Sequence, residues 1–170
     1  QYSGVPRPVA PINPDNIVVD PKVPTRADLT IATVWKVSNT GALISTLTLD
    51  NSTPLLINSI ALNAKGFTLG GINATDAGNS GVLISSDLEG KFEKPIYLGA
   101  SDTSIEAVVR GTDSSIYAIG NSTENLAGKK LVGYRDGIIA KYSSAGKLTA
   151  LVRSSASKAK RQWMAATNSL

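Results

Sequence analysis

Short runs of apolar and β-branched residues, broken by Gly, Asn, Ser and Asp, make up most of the chain beyond residue 30. Such runs predict strands joined by tight turns. One unit recurs three times, and internal repetition of this kind sets the fold before any single residue does. Val34-Trp35-Lys36-Val37-Ser38-Asn39-Thr40-Gly41-Ala42-Leu43 is matched by Leu83-Ile84-Ser85-Ser86-Asp87-Leu88-Glu89-Gly90-Lys91-Phe92, and again by Ile139-Ala140-Lys141-Tyr142-Ser143-Ser144-Ala145-Gly146-Lys147-Leu148. Each is a strand, a polar turn ending in glycine, and a second strand, which predicts a hairpin. Residues 57–62 and 66–70 follow the first hairpin as a second strand pair, and residues 105–109 and 115–120 follow the second.

Four strands in about fifty residues is the layout of a propeller blade. The sequence therefore predicts an all-β chain, a partial β-propeller of four-stranded antiparallel blades that is incomplete as a single chain. The units expected are about 30–79, 80–135 and an incomplete 136–170, with an added strand at 131–134 in the polar stretch before the third unit. Residues 1–29 read differently. Six of the eight prolines fall there, and proline removes a ladder donor, so this stretch predicts extended linker. Its exception is the β-branched run at 16–19, where Ile17, Val18 and Val19 form a candidate donor strand.

Asp136-Gly137-Ile138-Ile139-Ala140-Lys141-Tyr142, with the turn and glycine that follow, resembles the bacterial β-propeller repeat called SBBP, as do Tyr97-Leu98-Gly99-Ala100-Ser101-Asp102 and Ser114-Ser115-Ile116-Tyr117-Ala118-Ile119-Gly120. The likeness covers about residues 32–170. It departs at Thr33-Val34-Trp35-Lys36, which replaces the Asp-Gly start, and in lacking the family's aromatic after the glycine hairpin. The resemblance implies a bacterial, extracellular or cell-surface protein, exported and displayed.

The chain has no cysteine and no histidine. Zinc sites and Ser-His or Cys-His hydrolysis thereby lack their usual groups. No apolar run reaches bilayer-spanning length, and the start at Gln1 fits a processed mature chain or a fragment. Charge is uneven: from Lys129 onward nine basic residues face the single acid Asp136, whereas residues 1–128 hold eight basic and twelve acidic. A basic end suits an anionic partner, and lysines on strands equally mark a solvent face.

Trp35 and Trp163 are expected in strands as core filling. An exposed Trp163 beside Lys158, Lys160 and Arg161 would instead form a polyanion or glycan contact surface. Residues 73–79 are rich in oxygen ligands but lack alternating acids, so a plain inter-blade loop is expected over a calcium loop. Asp87, Glu89, Asp102, Glu106 and Asp113 read as solvated turn residues. The Asn-x-Ser/Thr triplets at Asn51, Asn73 and Asn121 also read as turns. No catalytic, cofactor or metal residues are assigned.

A blade is apolar on both faces, so an open stack needs cover, from further blades of a longer chain or from a strand passed between subunits. The expected function is a non-enzymatic binding or assembly scaffold whose partners are other blades, neighbouring subunits, polysaccharide or surface proteins, without nucleic acid or a transmembrane segment. The alternatives are a fragment of a larger propeller enzyme acting on polysaccharide, and polyanion binding through the basic C-terminal part.

Overall fold

The computed structural model describes the backbone of residues 2–3 and residues 29–154 and 160–167. The described residues hold strands and turns but no helix, and so no helix long and apolar enough to cross a membrane. The chain divides into two compact units, Gln1–Leu55 and Leu56–Leu170.

The first unit contains a three-stranded sheet in the order β1-β2-β3, from Tyr2–Ser3, Ile31–Val37 and Leu43–Asp50. β2 and β3 are antiparallel, with a register shift between Lys36 and Val37 where the strands enter their turn. In that turn the Ser38 hydroxyl accepts the Ala42 amide at 3.0 Å and Gly41 takes φ +84°, a conformation that costs any residue with a Cβ.

Two four-stranded sheets fill the second unit's chain. One runs β4-β5-β6-β7, from Leu55–Asn63, Gly66–Thr75, Gly78–Ser86 and Ile96–Leu98. The other runs β8-β9-β10-β11, from Thr103–Arg110, Ile116–Ser122, Asp136–Tyr142 and Leu148–Ser154. Neighbours in space are neighbours in sequence, and the pairs β5–β6, β6–β7, β8–β9, β9–β10 and β10–β11 are antiparallel.

The turns after β6 and β10 repeat the geometry after β2. Asp87 Oδ1 accepts the Lys91 amide at 2.8 Å and Ser143 Oγ accepts the Lys147 amide at 3.3 Å, while Gly90 and Gly146 take φ +91° and +75°. The β10–β11 register shift falls between Lys141 and Tyr142, matching that at Lys36 and Val37.

Hydrogen bonding groups the strands at another phase than the expected units: each four-stranded sheet joins one strand pair to the hairpin that follows it. A repeat can be cut at any phase, and the ladder chooses this one because β5 continues to Thr75 and turns directly into β6. Residues 73–79, expected as an inter-blade loop, are this intra-sheet hairpin, with Thr75 Oγ1 donating to the Gly78 carbonyl at 3.0 Å. The strand expected at 131–134 does not form, because the amides of Val132 and Gly133 turn inward to Asp136.

The two sheets of the second unit pack face to face. Ile105 and Val108 of β8, Ala118 of β9, Ile138, Ala140 and Tyr142 of β10 and Leu151 of β11 form one buried cluster with Leu83 and Leu98. Burying each large side chain contributes about 1.5–3 kcal/mol. Close approach depends on glycine: a Cβ at Gly81 would stand 3.0 Å from Ile105 Cγ1, and one at Gly70 would strike Val108. At the rim, side chains of β4 cap the open edge of β8, Asn58 Nδ2 donating to the Ile105 carbonyl at 2.9 Å and Ser59 Oγ accepting the Val108 amide at 3.2 Å.

Candidate functional site

Three groups of polar or aromatic side chains stand out in the second unit. The first is Glu124, which lies under the turn that leads from β7 into β8. Its carboxylate accepts the amides of Ala100, Ser101 and Asp102 at 2.9, 3.1 and 3.2 Å and the Thr103 hydroxyl at 2.7 Å. Burial alone would push its pKa up, but the donors from Thr103, Ser101, Ala100 and Asp102 outweigh it and hold the carboxyl below its usual range.

The second is Asp136, buried at the start of β10. It accepts the amides of Val132 and Gly133 at 3.1 and 3.0 Å and pairs with Arg153 Nε at 2.9 Å. Burial again opposes ionisation, and the two amides together with Arg153 prevail, so its pKa is lowered. Arg153 Nη1 reaches the Glu124 carbonyl at 2.8 Å, joining the two groups. Nearby, Arg135 Nη2 pairs with Asp102 Oδ2 at 2.7 Å, and Thr123 Oγ1 donates to the same oxygen at 2.8 Å.

The third group gathers around Asn121, whose side chain is buried in β9. Asn121 Nδ2 lies 3.4 Å from Glu106 Oε1, which also accepts the Ser104 hydroxyl at 2.6 Å, and Asn121 Oδ1 accepts the Trp163 amide at 2.9 Å. Glu106 is not a turn residue as expected; it sits in β8, at the register shift between Ile105 and Ala107. Asp87 and Asp113 do occupy turns. Asp113 accepts the Ser115 hydroxyl at 2.7 Å and its amide at 2.9 Å, and those bonds lower its pKa.

Neither tryptophan fills the core. Trp35 lies in β2 but is 52% exposed. Trp163 lies outside any strand and is 41% exposed, its ring against Gly137, where a Cβ would collide with it. Lys160 and Arg161, three and two residues before it, are exposed, their backbone held by a parallel bridge from Arg135 to Lys160 and by the Arg161 amide on the Arg135 carbonyl at 2.8 Å. Lys158 and the candidate donor residues Ile17, Val18 and Val19 lie outside the described residues. Asn73 and Asn121, expected in turns, are buried in β5 and β9, and Asn51 stands in the β3–β4 connection.

Glu124 has no place in the sequence pattern, and Asp136 enters it only as the start of a repeat motif and the single acid of the basic end. Neither has a compositional mark, because their partners are backbone amides. Among the described residues no three His, Cys, Asp or Glu side chains are grouped to hold a metal ion. A shallow cleft of about 450 Å³ along β11, lined by Ala127, Lys129, Leu148, Thr149, Ala150 and Leu151, offers one cation and one hydroxyl. No protein-family model matches the chain, and no curated protein matches it.

Proposed function

We propose that this chain is a non-enzymatic, secreted or cell-surface module of propeller-type blades, related to the SBBP repeat, that serves as a binding or assembly scaffold. The observation that carries this reading is how the carboxylates are used. Glu124, Asp136 and Asp102 are tied to backbone amides, to Arg153 and to Arg135, at the β7–β8 connection leading into the second four-stranded sheet and the β9–β10 connection within it. Charges fixed in this way rigidify the connections between strands instead of meeting a substrate. Stacked, apolar-faced sheets with such connections present rigid faces and loops to partners.

The test combines sedimentation of the purified chain, alone and with bacterial surface polysaccharides, with an assay for newly released reducing ends. The scaffold reading expects association without bond cleavage. Cleavage that is lost in Glu106→Gln would overturn it in favour of a propeller enzyme.

One observation favours a second mode of binding on the same scaffold. Lys160, Arg161 and Trp163 are all exposed within four consecutive residues, which offers a stacking face and cations suited to an anionic glycan. Binding to a sulfated polysaccharide that weakens with salt and with Trp163→Ala supports this mode, and salt-insensitive binding contradicts it.

A further inference from the structure

The hairpins that correspond in sequence and turn geometry place Trp35, Ile84 and Ala140 at one position and Val37, Ser86 and Tyr142 at another. In β10 this side faces the preceding sheet: Ala140 and Tyr142 belong to the cluster that packs on Leu83 and Leu98. In β6 the corresponding Ile84 and Ser86 are buried as well. Only in β2 is the side open, with Val37 58% exposed beside the exposed Trp35.

The opposite side shows the reverse. Leu83 of β6, 2% exposed, corresponds to Ile139 of β10, 36% exposed, and the strand neighbour of Ile139, Val152 of β11, is 61% exposed. Gly81 corresponds to Gly137. Against Gly81 lies Ile105 of the following sheet, and against Gly137 lies Trp163. The bridges repeat too: Asn79 pairs in parallel with Asp102, and Arg135 with Lys160. Residues 160–163 thus stand over the second sheet as the start of β8 stands over the first, while the rest of that face, around Ile139 and Val152, stays open among the described residues.

The molecule therefore carries one face of the kind that receives a preceding sheet and one of the kind that receives a following sheet. We propose that the Trp35–Val37 face of one copy seats on the Ile139–Val152 face of a second copy, in a head-to-tail contact that reproduces the packing of β8–β11 on β4–β7. The occupant is a second copy because the two faces are the two halves of a packing the chain already makes. A heterologous contact of this type propagates into rings or filaments. The proposal rests on the assembly side of the scaffold reading and names its surface.

Sedimentation velocity over a concentration series tests it, using the full chain, Trp35→Asp, Ile139→Asp and a control at another exposed apolar site, Leu62→Asp, with circular dichroism to verify folding. The full chain and the control are expected to associate progressively. Each face variant alone is expected to weaken association by roughly tenfold or more, as when a central aromatic or aliphatic anchor of an interface is lost. Mixed in equal amounts, the two face variants are expected to form 1:1 dimers and nothing larger, since each retains the face the other lacks.

A full chain that stays monomeric throughout overturns the proposal, and so does a mixture that fails to recover dimers. Association unaffected by either face variant overturns the assignment of the faces and leaves the scaffold reading standing. Polysaccharide cleavage, by contrast, brings down the scaffold reading itself.

Discussion

β6 and β10 carry matching sequences and matching turns, yet their outward positions meet different surroundings. Leu83 is sealed beneath Ile105 and Val108 of the next sheet, whereas Ile139 at the same position of the second sheet is partly open. What differs is the neighbour, not the strand: a full sheet covers the first face, and the short segment at residues 160–163 covers only the Gly137 end of the second. In this architecture the burial of a residue is set by stacking between sheets, and strand propensity alone leaves it undetermined.

Substitutions can break that comparison in order of severity. The largest effect is expected from Asp136→Asn, which strands the buried Arg153 guanidinium and should cost about 3–5 kcal/mol in denaturant unfolding. Leu83→Ala comes next, at about 2–5 kcal/mol, while the equivalent Ile139→Ala should cost under about 1 kcal/mol because its site is partly solvated already. Equal losses at the two positions would show that the second face is as well covered as the first.

Acid should produce a graded loss. Glu124 and Asp136 have folded-state pKa values below their ordinary 4.5 and 3.8, so the stability they contribute is complete above those values and disappears as pH falls through the lowered ones. Melting temperatures measured from neutral pH downward should fall in that acid window, and Glu124→Gln should flatten part of the fall. A modest effect, between those of Leu83→Ala and Ile139→Ala, is expected at the turn glycines: Gly146→Ala, forced into positive φ, should cost about 1–2 kcal/mol without changing the sheet pairing.

Much of this fold is legible in the chain. The three hairpins announce themselves through Gly41, Gly90 and Gly146 and the oxygen-bearing residues Ser38, Asp87 and Ser143 that cap the same turns, because turn chemistry is local. The phase of the sheets is not legible, since the hydrogen bonds that join β5 to β6 look in sequence like any other strand-turn-strand. Residues 73–79 mislead for that reason: their Asn, Thr and Asp suggest a loop, and pairing carries the ladder through them to Thr75 and Gly78.

Trp163 is not in a strand at all, and Trp35, in β2, fails for a different reason. A large aromatic in a strand is buried only if another sheet lies over it, which is a property of the stack and not of the strand. Glu124 and Asp136 escape notice because a carboxylate that caps backbone amides gains its partners only after the chain has folded. Of the candidate surface, Lys160, Arg161 and Trp163 are exposed, and Lys158 lies outside the described residues.

The account depends on close contact at two corresponding glycines, Gly81 against Ile105 of the next sheet and Gly137 against Trp163 of the segment at residues 160–163. A nuclear Overhauser spectrum of the methyl-labelled chain reads both contacts at once. It should show cross-peaks from the Ile105 methyls to the Gly81 α-protons and from the Trp163 indole to the Gly137 α-protons. Cross-peaks absent from both pairs in a folded chain would contradict the stacking on which the rest is built.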